Sequence, residues 1–174
     1  MKYTTLITFL CILTRAVQAQ QTDPEFPKEF IMHAKLHNGM VTNFSNAPDV
    51  YVGGVQLIPQ YTLITGKIRA GMLADVYYTG KKLQTAIGPT LSFKLKTFKA
   101  APFGSAGNLH LSIDHLWGSQ HQRLLGGGIN ADIGNKLVLG LSAHRDYHLN
   151  SWWFQNTLGI RISKVKKTTD PFNQ

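Results

Sequence analysis

The chain contains a single cysteine, Cys11, among its 174 residues. An internal disulfide is therefore excluded, and stability has to come from packing and hydrogen bonding. No apolar run approaches the about 20 residues that a membrane-crossing helix needs. The longest apolar-leaning stretch, residues 6–13, is far shorter. Beyond it no segment sustains a helical period, and neither a low-complexity tract nor a repeated motif occurs. Acidic side chains are scarce, 9 against 18 Lys and Arg, for a formal charge of +9. The glycine cluster "GGG" at 126–128 lacks the Lys-Ser/Thr of a phosphate loop and sits in an alternating pattern, not ahead of a helix. It is expected to mark a sharp bend or tight packing in a strand.

What is present begins with a leader. Residues 1–19 carry a lysine at the front, the short apolar run and small residues before Ala19, the layout of a secretory signal peptide cut after Ala19. Cleavage would remove Cys11, and the charge becomes +7 once Lys2 and Arg15 leave with the leader. A basic exported chain suits anionic lipid or lipopolysaccharide phosphate better than nucleic acid. Residues 20–28 read as a loose lead-in, 29–165 as one β-barrel domain, and 166–174 as a polar tail. The basic run "KVKK" at 164–167 reads as the solvated end of a strand.

From residue 29 onward apolar residues recur at every second position, which is the period of a strand with two different faces. Eight such segments are expected: 29–38, 50–64, 67–79, 82–98, 108–117, 122–134, 136–148 and 151–164. Turn chemistry separates them, as in "ITGK" at 64–67, "YTGKK" at 78–82, "IGNK" at 133–136 and "HLNS" at 148–151. Consecutive strands on short turns predict an antiparallel meander. Pro59 and Pro89 interrupt two strands and predict bulges or local breaks.

One face of the pattern is apolar. The other carries both signs of charge, with Arg69, Lys94, Lys96 and Arg161 against Asp75, Asp114 and Asp132. It also carries Gly54, Gly71, Gly88, Gly126, Gly128, Gly140 and Gly159. Small residues beside long polar ones suit the narrow interior of an eight-stranded barrel, where opposite charges can pair. The apolar face then points outward to lipid, and lipid requires the sheet to close. Tyr61, Tyr78, Phe93, Trp117, Trp152 and Phe154 fall near segment ends on that face, as interfacial girdles do.

In this architecture the chain resembles the small eight-stranded outer-membrane β-barrels of Gram-negative bacteria, the OmpA/OmpX-like class. The resemblance covers residues 29–165 and is one of pattern, without a diagnostic motif. It implies an all-β up-and-down barrel with its apolar face to lipid and a polar, filled lumen. It further implies an outer-membrane location and a structural or surface-interaction role, without catalysis or an open pore. Lipopolysaccharide or another membrane lipid is the expected partner, with an envelope protein as a further one; no nucleic acid, cofactor or metal is expected. Such barrels commonly finish on an aromatic residue in the last strand, whereas here a polar tail follows.

Two residue groups invite chemistry. His115, His121, His144, Asp146 and His148 cluster near the turns of the last four segments, and such residues suit a wet rim beside headgroups. His110 and Ser112, with Asp114 following, resemble the His-x-Ser pair of some lipid A deacylases. An outer-membrane lipid-modifying hydrolase or acyltransferase is accordingly one alternative. A soluble periplasmic lipocalin-like carrier, with the apolar face turned inward around an apolar ligand, is the other.

Overall fold

The computed structural model describes residues 30–44, 49–98, 107–134 and 136–162. Eight antiparallel strands follow one another: β1 (Phe30–Thr42), β2 (Val50–Ile64), β3 (Ile68–Thr79), β4 (Lys82–Phe98), β5 (Gly107–Gly118), β6 (Arg123–Ile133), β7 (Leu137–Asp146) and β8 (Ser151–Arg161). Each pairs with the next, and β8 returns to β1, closing the barrel. The seam runs from His33↔Arg161 to Thr42↔Trp152. No helix occurs among the described residues. The leader, the lead-in and the 166–174 tail lie outside them.

The ends of β1, β3, β5 and β7 and the starts of β2, β4, β6 and β8 mark the upper rim of the barrel. The opposite strand ends mark the lower rim. Gly80 and Lys81 both have positive φ, 55° and 64°, as the two-residue turn between Thr79 and Lys82 demands.

β1 runs past the expected boundary. Asn38-Gly39 resembles a turn signal, yet the strand continues through it to Thr42. Gly39 pairs with both Val52 and Gln155. A Cβ there would strike the carbonyl of Phe154, so the glycine serves close approach of strands, not a turn.

Bulges do not occur at the prolines. Pro59 keeps its place opposite Met32 on β1, and the β2–β3 ladder skips from Leu57↔Ala74 to Gln60↔Gly71 without a register change. Pro89 likewise stays opposite Met72, while the β4–β5 ladder skips from Ile87↔Trp117 to Thr90↔Asp114. A missing N–H removes rungs on one side only, so the strand itself survives. The register shifts lie instead between Thr62 and Ile64 and between Lys94 and Lys96, both close to the lower rim.

The barrel is built inside out relative to a water-soluble protein. Among the described residues 24 polar or charged side chains are buried against 11 hydrophobic ones, and 29 large hydrophobic side chains are exposed. The outward alternation on β1, β2 and β8 (Leu36, Val55 and Leu158, for example) lies opposite the buried Lys35, Gln56 and Thr157. Among the described residues the interior is predominantly polar and filled, and does not offer the apolar ligand cavity that a lipocalin-like carrier needs.

Candidate functional site

The lumen has two regions. Toward the upper rim it is apolar: Val52, Ile58, Leu73, Tyr77, Ala86, Leu116, Leu124 and Trp153 form one buried cluster, with Val41 against it. Tyr77 and Trp153 meet edge to face with ring centroids 5.3 Å apart. The Tyr77 hydroxyl donates to Gln122 Oε1 at 2.9 Å, and Gln122 bonds onward to Gln84, so the plug's polar atoms are satisfied.

Below this plug the interior is charged. Lys35, Arg69 and Arg161 face Asp75, Asp114 and Asp132, three cations and three carboxylates, all buried. Asp132 is the hub at the lower end. Arg161 donates to its Oδ2 at 3.3 Å, Arg69 lies 3.7 Å away, and His110 Nδ1 lies 3.8 Å away. Higher up, His37 donates to Asp75 at 2.9 Å and Gln56 to the same carboxylate at 3.1 Å. His144 donates to Asp114 at 3.3 Å. Lys35 donates to Asn130 at 2.6 Å, and Asn130 in turn donates to Ser112 at 3.2 Å. Between these groups remains a cavity of about 30 Å³, bordered by Lys35, Gln60, Asn130 and His144 among others. That is room for a water or two and not a channel.

The residues expected in a lumen charge network are Arg69, Asp75, Lys94, Lys96, Asp114, Asp132 and Arg161. Five of them lie buried in the interior. Lys94, opposite His110, is half-buried at the lower mouth. Lys96 does not face the lumen. The bulge after Lys94 pairs it with Leu109, an outward residue, and its side chain is exposed.

The histidines do not form one rim arc. His144 turns inward to Asp114. His115 faces outward beside Trp117, ring centroids 4.5 Å apart. Asp146 is fully buried, and its Oδ1 accepts from the backbone N–H of His148, Leu149 and Arg123 at 2.9, 3.1 and 3.3 Å. It therefore holds the β7–β8 turn, as a short carboxylate does in such loops. Only His121 and His148 remain together, at 6.2 Å between ring centroids, both exposed. No group of three or more His, Cys, Asp or Glu able to hold a metal ion occurs among the described residues.

His110, Ser112 and Asp114 all lie on the inward side of β5, each with its own partner. Ser112 Oγ donates to the Gly128 carbonyl at 3.4 Å and accepts from Asn130. Asp114 holds His144, and His110 lies by Asp132. This is an arrangement of structural pairs in a closed interior, not of a base aimed at a nucleophile that substrate can reach.

Sequence reasoning left three inward residues unnamed, His33, Lys35 and His37, which bring the lumen's histidines to four of the chain's seven. Alternation alone could have found them, since all three lie within the segment expected at 29–38, on the face opposite Ala34 and Leu36.

The six aromatics named for the girdles all face outward. Tyr78, Trp117, Trp152 and Phe154 lie toward the upper rim, and Tyr61 and Phe93 toward the lower. Trp152 and Phe154 stack at 6.2 Å, and the Arg145 guanidinium lies 5.3 Å from the Trp152 ring.

No family model matches the sequence, and no curated protein matches it. The fold is similar to a solved structure from the de novo design of transmembrane beta-barrels. The TM-score is 0.49 and the identity 9%, covering 80% of this chain and 100% of that one.

Proposed function

We propose that this protein is an outer-membrane β-barrel that crosses lipid with its eight strands and works without catalysis. Its upper-rim turns would present a surface to lipopolysaccharide, an envelope protein or another external partner. The observation that carries the reading is the inversion of the fold, with large hydrophobic side chains exposed around a closed sheet and charges buried within it. Soluble monomers rarely expose contiguous apolar patches beyond a few hundred Å². In lipid the same surface is matched to its solvent, and a closed barrel leaves no unpaired strand edge. Aromatics toward both rims support the same reading, since tyrosine and tryptophan gather at the two membrane interfaces. The leader-like residues 1–19 supply a route of export, and the filled lumen argues for a role other than conduction.

Fractionation of cells producing the full chain tests this. The protein should remain with the outer-membrane fraction through an alkaline wash and leave it only in detergent. Recovery in the soluble fraction without detergent would overturn the proposal.

A further inference from the structure

The outer wall carries a concave feature. Across β5 to β8 there is an open groove of about 490 Å³. Its floor is Gly127, which pairs with Ile113 on β5 and Ala143 on β7. A Cβ at Gly127 would strike the Ser112 carbonyl, so the strand lies tight against β5 and offers no side chain to the surface. Ile113, Ile129, Leu141, Ala143 and Phe154 form the walls. The triple glycine thereby has a consequence on the outside of the barrel as well as inside.

Directly above the groove the outer face becomes cationic. The next outward residue after Ala143 on β7 is Arg145, about 7 Å along the strand. On β6 the outward residues above Gly127 are Leu125 and then Arg123. Leu125 is paired with Arg145, so Arg123 and Arg145 are diagonal neighbours on one face, about 7–8 Å apart. Trp117 lies opposite Arg123 and Trp152 opposite Arg145. Among the described residues neither arginine is in an ion pair. Arg145 donates to the neutral Asn150 side chain, and Asp146 is turned inward and engaged with backbone N–H groups. Asp49, on the β1–β2 connection, is the one exposed carboxylate among the described residues.

We propose that this wall binds one membrane lipid bearing an anionic phosphate, with an acyl chain in the groove over Gly127 and the phosphate between Arg123 and Arg145. The inference rests on the membrane reading given above and adds to it the chemistry of the partner. The two guanidiniums provide forked donors for phosphate oxygens at the height where tryptophans mark the headgroup zone. The apolar groove begins one outward residue below, which is the order in which a lipid presents headgroup and chain.

The test uses the full-length chain without its leader, refolded into phosphatidylcholine vesicles and then examined by native mass spectrometry from detergent. The lipids added are phosphatidylglycerol and an uncharged glycolipid with the same acyl chains. One phosphatidylglycerol should be retained per chain, in preference to the glycolipid. R123Q/R145Q should lower that retention about tenfold or more, while still giving a folded, heat-modifiable band. A143F, which fills the groove without touching the arginines, should lower retention of both lipids. Equal retention of the two lipids would overturn the inference, as would unchanged retention in R123Q/R145Q or a lipid-free dimer occupying the wall. In all three cases the membrane reading stands, because the protein has inserted. Failure of the parent chain to insert into vesicles would remove both.

Discussion

Asp132→Ala should destabilise the barrel by about 3–5 kcal/mol, the cost of leaving buried charge without its partner. Asp132 sits at 1% exposure, with Arg161 at 3.3 Å, Arg69 at 3.7 Å and the His110 ring at 3.8 Å. Removing the carboxylate leaves both guanidiniums in an interior with little room for water. Asp132→Asn should lose a comparable amount, because it keeps the volume and removes the charge. Combining Asp132→Ala with Arg161→Met should cost less than the two single changes together, since both act on one pair. Urea unfolding, followed by the loss of the compact band on unheated gels, measures all of these. A loss below about 1 kcal/mol for Asp132→Ala would mean that the hub is not energetically a hub.

Leu36→Arg should cost about 2–4 kcal/mol in a bilayer, the penalty for a cation on the lipid face of a barrel near mid-membrane. Leu36 is 61% exposed and lies midway along β1, between Val55 on β2 and Leu158 on β8. In water an exposed leucine exchanged for arginine would move stability by about 0.5 kcal/mol or less. The two solvents therefore predict different magnitudes for one substitution. Depth supplies the internal control, because Tyr78→Arg near the upper rim should cost only about 0–1 kcal/mol. Equal and small effects at both positions would point to water outside.

The fold was legible because a closed barrel repeats one rule. Each strand alternates between lumen and exterior, so residues such as Gln56 and Val55 are sorted by parity alone. Glycine was equally informative. Gly54, Gly71 and Gly128 fall on the charged face and lie opposite Tyr77, Gln60 and Ser142, all inward residues. Parity fails where the register slips, and the bulge after Lys94 turned Lys96 from lumen to exterior. Alternation also assigns no chemistry within a face. Val52, Leu73 and Trp153 lie on the inward side with the charges, yet they segregate into an apolar plug that only the three-dimensional neighbourhood defines.

The rim histidines failed for a related reason. Proximity to a turn says which end of the barrel a residue is near, not which way it points, and His115 and His144 point to opposite sides of the wall. The lumen pairs were beyond reach because they join strands far apart in the chain: Lys35 to Asn130, and His37 to Asp75. The groove above Gly127 was hidden as well. Its floor is the absence of a side chain, and its walls come from four strands.

The central claim, that lipid surrounds this barrel, can be read from the chain's own three tryptophans. Trp117 and Trp152 face outward near the upper rim, and Trp153 is 2% exposed inside the plug. Versions retaining one tryptophan each, with phenylalanine at the other two positions, should be reconstituted into bilayers whose acyl chains carry bromine. Fluorescence from Trp117 and Trp152 is predicted to be strongly quenched, with Trp153 close to its value in unbrominated lipid. Emission from Trp117 and Trp152 that ignores the bromine would contradict the account and return the outer face to water.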